Sequence, residues 1–161
     1  MCCKVMGIGE IAKRPGEWCP HCDIGNGCRI YADRPPSCVE FYCMYLTNPT
    51  LGEHWKPSLA RMVITRERQN MVYVRPDPAR PDVWRKEPYY ADLKKWSARF
   101  ASRGIMLSIC VGDTMTVVLP DHDVDLGRED PTKLLRLVVH AQPNGRRYDI
   151  EVIDAPKPST A

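Results

Sequence analysis

Five cysteines frame one short segment, Cys19-Pro-His-Cys22-x5-Cys28-x9-Cys38-x4-Cys43, and Cys2-Cys3 open the chain. These are seven of its eight cysteines, all within the first 43 residues. A packed core gains little from so many small thiols. Thiolates converging on a soft metal gain a great deal, because each metal–sulfur bond replaces core that a short loop cannot build. Cys19 and Cys22 can reach one ion from a single tight turn. Cys28 follows a Gly-x-Gly stretch that can fold back onto that turn, and Cys38 and Cys43 come from the next short element. Cys2 and Cys3 can be brought over from the N-terminus. Seven sulfurs, with His21 and His54, then stand as candidates for a tetrahedral site that takes four ligands.

Spacing leaves the metal open. Zinc ribbons usually carry two separated Cys-x2-Cys knuckles, and this sequence has one; the closely spaced run of bacterial ferredoxins is absent. Zinc is the expected cofactor, with iron or an iron–sulfur cluster as the alternative, and the surplus of sulfurs leaves room for a polynuclear site. Cys-Pro-His-Cys is also a dithiol redox motif, but in that setting it opens a helix after a buried strand. Here Asp23-Ile-Gly-Asn-Gly27 follows, which cannot be helical. Cys110, inside an apolar run, reads as a small core residue.

A resemblance sharpens this. Cys2-Cys3, then Gly27-Cys28-Arg-Ile-Tyr31-x2-Arg34-Pro35-x2-Cys38-x2-Phe41-x-Cys43, resembles the bacterial YkgJ-like cysteine-cluster family, described as zinc- or iron-chelating proteins. Its pattern is a Cys-Cys pair, then Cys-x5-Cys continuing as Cys-x-Ile-Tyr, then Arg-Pro-x2-Cys. These fall on Cys2 and Cys3, Cys22 and Cys28, and Arg34, Pro35 and Cys38, so the match covers about residues 2–46. Family members carry further cysteines before the pair; here the ligand set is expected to be shorter, completed by Cys19 or Cys43. The resemblance implies metal binding and leaves activity open. Pro35 biases Arg34 to an extended conformation, so its guanidinium can project near the thiolates and offset their charge.

Other groups read as less chemical. Pro120–Gly127 carries three carboxylates and His122 without a calcium-loop or nucleophile pattern, and is expected to be a solvated acidic loop. His140, at the end of a strand-like run, is expected to be structural. Trp18, Trp55 and Trp84, with Tyr89 and Tyr90, are expected to bind the cysteine-rich part to the rest of the protein. No phosphate loop, dinucleotide fingerprint or Ser/His/Asp arrangement is present, so no catalytic residue is assigned and an enzyme is not the leading class.

The elements that must position the cysteines differ sharply between the two parts of the chain. Residues 1–57 are punctuated by Gly25, Gly27, Pro35, Pro36 and Pro49 and lack a regular apolar period. A helical turn over Ser37–Leu46 would set Phe41 and Tyr45 on one side. From residue 58 to 154, strand-like runs recur: 62–65 with 71–74, 105–110 with 114–119, and 133–140 with 146–153, the last pair joined by Pro143-Asn144-Gly145. A helix is expected over Pro88–Arg103, with Tyr89, Leu93, Trp96 and Phe100 forming one stripe and Gly104 ending it. The fold class is therefore α+β: an irregular cysteine-rich module on a small antiparallel sheet of hairpins with one helix. Residues 155–161 are expected to form a disordered tail.

The chain has 161 residues, 43% hydrophobic and 27% charged, and a net charge of +3 from 23 basic and 20 acidic residues. That excess is dispersed among acids, which argues against a nucleic-acid surface. No run of about 18 apolar residues is present, which argues against a membrane span. Glu10 and Lys13 interrupt any secretory h-region. A reducing cytoplasm is expected, where clustered cysteines are metal ligands rather than disulfides. A protein partner is expected, its identity unknown.

Overall fold

A computed structural model describes residues 1–68, 70–130 and 132–155. The first part is built from short pieces: helix α1 (Cys2–Val5), strands β1 (Cys22–Asp23) and β2 (Gly27–Cys28), and helices α2 (Pro36–Glu40), α3 (Met44–Thr47) and α4 (Pro57–Ala60). The second part carries β3 (Met62–Arg68), β4 (Met71–Pro76), α5 (Tyr89–Ala101), β5 (Met106–Val111), β6 (Thr114–Val118), β7 (Asp123–Arg128), β8 (Lys133–Gln142) and β9 (Gly145–Asp154). The protein is α+β, as the alternation of patterns implies.

Strands β3 to β7 form one sheet in sequence order. Successive side chains of a strand point to opposite faces, and the apolar residues divide accordingly. Met62, Ile64, Val72, Val74, Leu107, Ile109 and Val118 face a cluster completed by Leu93, Trp55 and Trp84. Met71, Tyr73, Met106, Met115 and Val117 face the other side, where Leu135, Leu137, Tyr148 and Ile150 of the β8–β9 hairpin cover them. The sheet is thus apolar on both faces and buried on both, which explains why β4 reads as a continuous run. Helix α5 lies on the first face through its Tyr89-Leu93-Trp96-Phe100 stripe, and Leu93 is fully buried. That one side chain contributes about 1.5–3 kcal/mol by leaving water. Gly104, with φ of 68°, takes the left-handed conformation that ends the helix cleanly.

Three differences from the sequence reading have physical reasons. The sheet is not wholly antiparallel: β4 and β5 run parallel, Val72 opposite Leu107 and Val74 opposite Ile109. Helix α5 makes the crossover such a pair requires, where consecutive hairpins were expected. The acidic segment is not a loop throughout, because Asp123–Arg128 forms β7 against β6. Val124 and Leu126 pack on the second cluster, and Asp123 accepts hydrogen bonds from Tyr90 (3.0 Å) and Lys94 (3.2 Å). Finally, the Ser37–Leu46 turn is two helices, α2 and α3, with Phe41 extended between them. Phe41 and Tyr45 still meet the same cluster, around Val5, Cys43 and Val63.

Ala155 closes the described chain, its N–H donating to the Thr132 carbonyl (2.9 Å). The rest of the expected tail lies outside the described residues. No helix among the described residues is long and apolar enough to cross a membrane.

One defect of the core is testable. The Ser108 hydroxyl is buried at the centre of β5 with no hydrogen-bond partner among the described residues. A buried hydroxyl left unpaired costs more than it returns. Ser108→Ala is expected to raise stability by about 1 kcal/mol, seen as a melting temperature about 2–4 °C higher. A lower melting temperature would mean that the hydroxyl has a partner in solution.

Candidate functional site

The cysteine-rich part gathers around one open cleft of about 890 Å³. Cys2, Cys3, Cys19, Cys28 and Cys38 line it, with His21, Tyr31, Arg34 and, from β3, Thr65 to Glu67. Few apolar side chains here are buried, so local hydrogen bonds do the positioning. The Cys19 N–H donates to the Cys3 carbonyl (2.8 Å) and the Cys22 N–H to the Cys19 carbonyl (2.9 Å), which draws the Cys-Pro-His-Cys turn against α1. Glu10 accepts from the Ser37 N–H (2.9 Å) and hydroxyl (2.8 Å), tying the following turn to α2.

The β1–β2 hairpin sets two thiols by its register. Cys22 lies opposite Cys28, and the Arg29 N–H donates to the His21 carbonyl (2.9 Å). His21 and Arg29 are therefore the hydrogen-bonded pair and Cys22–Cys28 the non-bonded one, whose side chains share a face and come closest. Gly25 and Gly27, at φ of 98° and 130°, supply the turn that closes it. This is the hairpin that the redox reading of Cys-Pro-His-Cys cannot accommodate, since no helix follows the motif.

Cys2, Cys3 and Cys22 form a contiguous set. The Cys3 thiol donates to Cys2 and holds it low, at about 6. The same hydrogen bond, then burial, then the charges of Cys2 and Cys22 push Cys3 far up. Burial also raises Cys38.

A cation missed by sequence reading lies behind them. Lys13 is buried, and its ammonium donates to the carbonyls of Lys4 (2.7 Å) and Met6 at the end of α1. Burial lowers its pKa, and the charges of Cys19 and Cys3 act the other way. An isolated lysine ten positions after Cys3 carries no spacing that would have singled it out.

Two residues lie elsewhere. Cys43 is buried among Val5 and Val63, apart from the cleft lining. His54 sits on a second cavity, bonded through Nε2 to Asp92 (2.9 Å), and does not approach the cysteines' cleft. His140 pairs with Asp149 (3.3 Å) across β8 and β9. Trp55 and Trp84 are buried in the first core cluster, whereas Trp18 is 36% exposed, with the Lys4 ammonium 5.7 Å from its ring centre. Arg34 stacks on Tyr31, 4.0 Å from its ring centre, on the cleft wall.

Five thiols thus line the cleft and Cys22 joins them through Cys3 and Cys28. As donors they suit zinc or iron. They do not close on a common point: among the described residues, no three His, Cys, Asp or Glu side chains are arranged to hold one ion. No family model, curated protein or solved structure matches the chain.

One ion pair ties the site to the sheet. Lys4 in α1 meets Asp77, after β4, at 2.6 Å, with both side chains largely buried. Burial raises the Asp77 pKa, but the Lys4 hydrogen bond and the Ala79 N–H outweigh it, and the net shift is downward. A carboxylate held below its unfolded value stabilises above about pH 4 and loses that contribution as pH falls through the folded value. Asp77→Asn is expected to cost about 1–3 kcal/mol at pH 7. The difference between variant and wild-type denaturation midpoints should shrink steadily from pH 5 to pH 2. A difference independent of pH would contradict the pair.

Proposed function

We propose that this chain is a zinc-binding cysteine-cluster protein whose ion is structural, and that the module so held serves as a binding or adaptor domain for a protein partner. One observation supports the reading: short elements with little core of their own bring five thiols to one cleft, with Cys22 beside them opposite Cys28. The resemblance of residues 2–46 to the YkgJ-like family points the same way. The proposed ligands come from Cys2, Cys3, Cys19, Cys22, Cys28 and Cys38, with Cys43 left to packing. When bound, the ion would cross-link thiolates from separate elements and supply folding free energy that the module otherwise lacks.

Lys13 sets a positive charge against this group. The second reading is iron or an iron–sulfur cluster, which cysteine thiolates also hold, and six thiols leave room for a site of more than one metal ion. A reducing cytoplasm is the proposed compartment, where clustered cysteines serve as metal ligands.

Chelation tests the structural role. A strong zinc chelator is expected to melt residues 1–47 first, seen as lost hydrogen-exchange protection there with β3–β7 still protected. Unaltered protection after complete metal removal would overturn a structural ion.

A further inference from the structure

Beside the thiols, the same cleft is large and walled by apolar side chains: Met6, Ile8, Ile11 and Phe41. A structural metal needs no such space. Volumes of a few hundred to about 1,000 Å³, mostly apolar with a few placed polar groups, are those of small-molecule sites. Arg34 is the placed group. Its side chain is partly buried along its length, its guanidinium sits 4.0 Å from the centre of the exposed Tyr31 ring, and it has no carboxylate within ion-pair distance among the described residues. Of the carboxylates on the lining, Glu67 is bound by Arg75 (2.8 Å), and Glu40 stands exposed, where solvent and salt screen it. A pre-oriented guanidinium over an apolar wall recognises a planar anion on an apolar body.

We infer that the cleft binds a small organic carboxylate, its apolar body along Met6, Ile8, Ile11 and Phe41 and its carboxylate on Arg34. The ligand is held by Arg34 and the wall, so the inference extends the metal-binding reading and is tested apart from it.

The probe is octanoate, titrated calorimetrically into the protein as purified, beside 1-octanol and the Arg34→Gln variant. The expected result is octanoate binding at least about tenfold tighter than octanol, with Arg34→Gln removing that advantage and leaving octanol binding unchanged. The octanol comparison on unaltered protein guards against a variant that folds poorly. Equal affinity for the two ligands, affinity unaffected by Arg34→Gln, or no heat at millimolar octanoate would overturn the inference. Metal is quantified in the same samples. Octanoate binding without metal sinks the zinc reading alone, and metal-loaded protein that ignores octanoate sinks this one alone.

Discussion

Replacing Cys28 with serine is expected to abolish metal retention and to unfold the N-terminal module while leaving the five-stranded sheet in place. Cys28 is paired with Cys22 across the β1–β2 register and faces the cleft beside Cys2, Cys3, Cys19 and Cys38. A serine hydroxyl neither ionises near neutral pH nor offers a soft donor, so the two-thiol knuckle loses half its ligands. Apparent free energies of structural zinc in small modules are about 10–16 kcal/mol, so losing one of four ligands leaves little to hold residues 1–47. The checks are metal content, falling from about one ion per chain to near none, and exchange protection, lost before β3 and kept after it. Cys43→Ala is the control, because Cys43 packs on Val5 and Val63: it should cost stability and keep the metal. Unchanged metal content and melting temperature in Cys28→Ser would remove Cys28 from the ligand set.

The second large effect concerns the joint between the two parts. Trp55 is 2% exposed, its ring 4.7 Å from that of Trp96 and 5.0 Å from that of Tyr89, both on α5. Its indole N–H donates to Asp92 (3.1 Å), the same carboxylate that His54 contacts. Trp55→Ala empties the largest fully buried side chain among the described residues and takes a donor from Asp92. The expected cost is about 3–5 kcal/mol, a large share of the about 5–15 kcal/mol that holds a domain. Denaturant midpoints would read it, with metal content retained because Trp55 lies away from the cysteine cleft. A cost below about 1 kcal/mol would mean that the first core cluster closes without Trp55.

Strong local patterns made much of the second part legible. The Tyr89-Leu93-Trp96-Phe100 stripe with Gly104 gave helix α5, and Asn144-Gly145 between two apolar runs gave the β8–β9 hairpin. The parallel β4–β5 pair was hidden because strand pairing across α5 is a tertiary choice that neither run encodes alone. Strand β7 was hidden by its charges. Asp123 and Asp125 alternate with Val124 and Leu126, but two acids and an arginine in six residues mask a two-residue period unless the partner edge of β6 is known.

In the first part, cysteine types and spacing picked out the residues that line the cleft, since thiols are rare enough for their density to carry meaning. What spacing could not convey is three-dimensional assignment. Cys43 stands five residues beyond Cys38 yet turns into the apolar cluster, because α3 begins there and presents it to Val5. His54 is drawn away by Asp92 on α5, thirty-eight residues later. Lys13 and the Lys4–Asp77 pair depend on burial created by the fold, and leave no trace in local sequence.

The most direct test is elemental analysis, with an absorption spectrum, of the protein purified without oxygen. The expected result is about one zinc per chain in a colourless solution. Protein that is folded and free of any metal would contradict it; iron with sulfide in a brown solution would replace zinc by a cluster and make redox chemistry the leading reading.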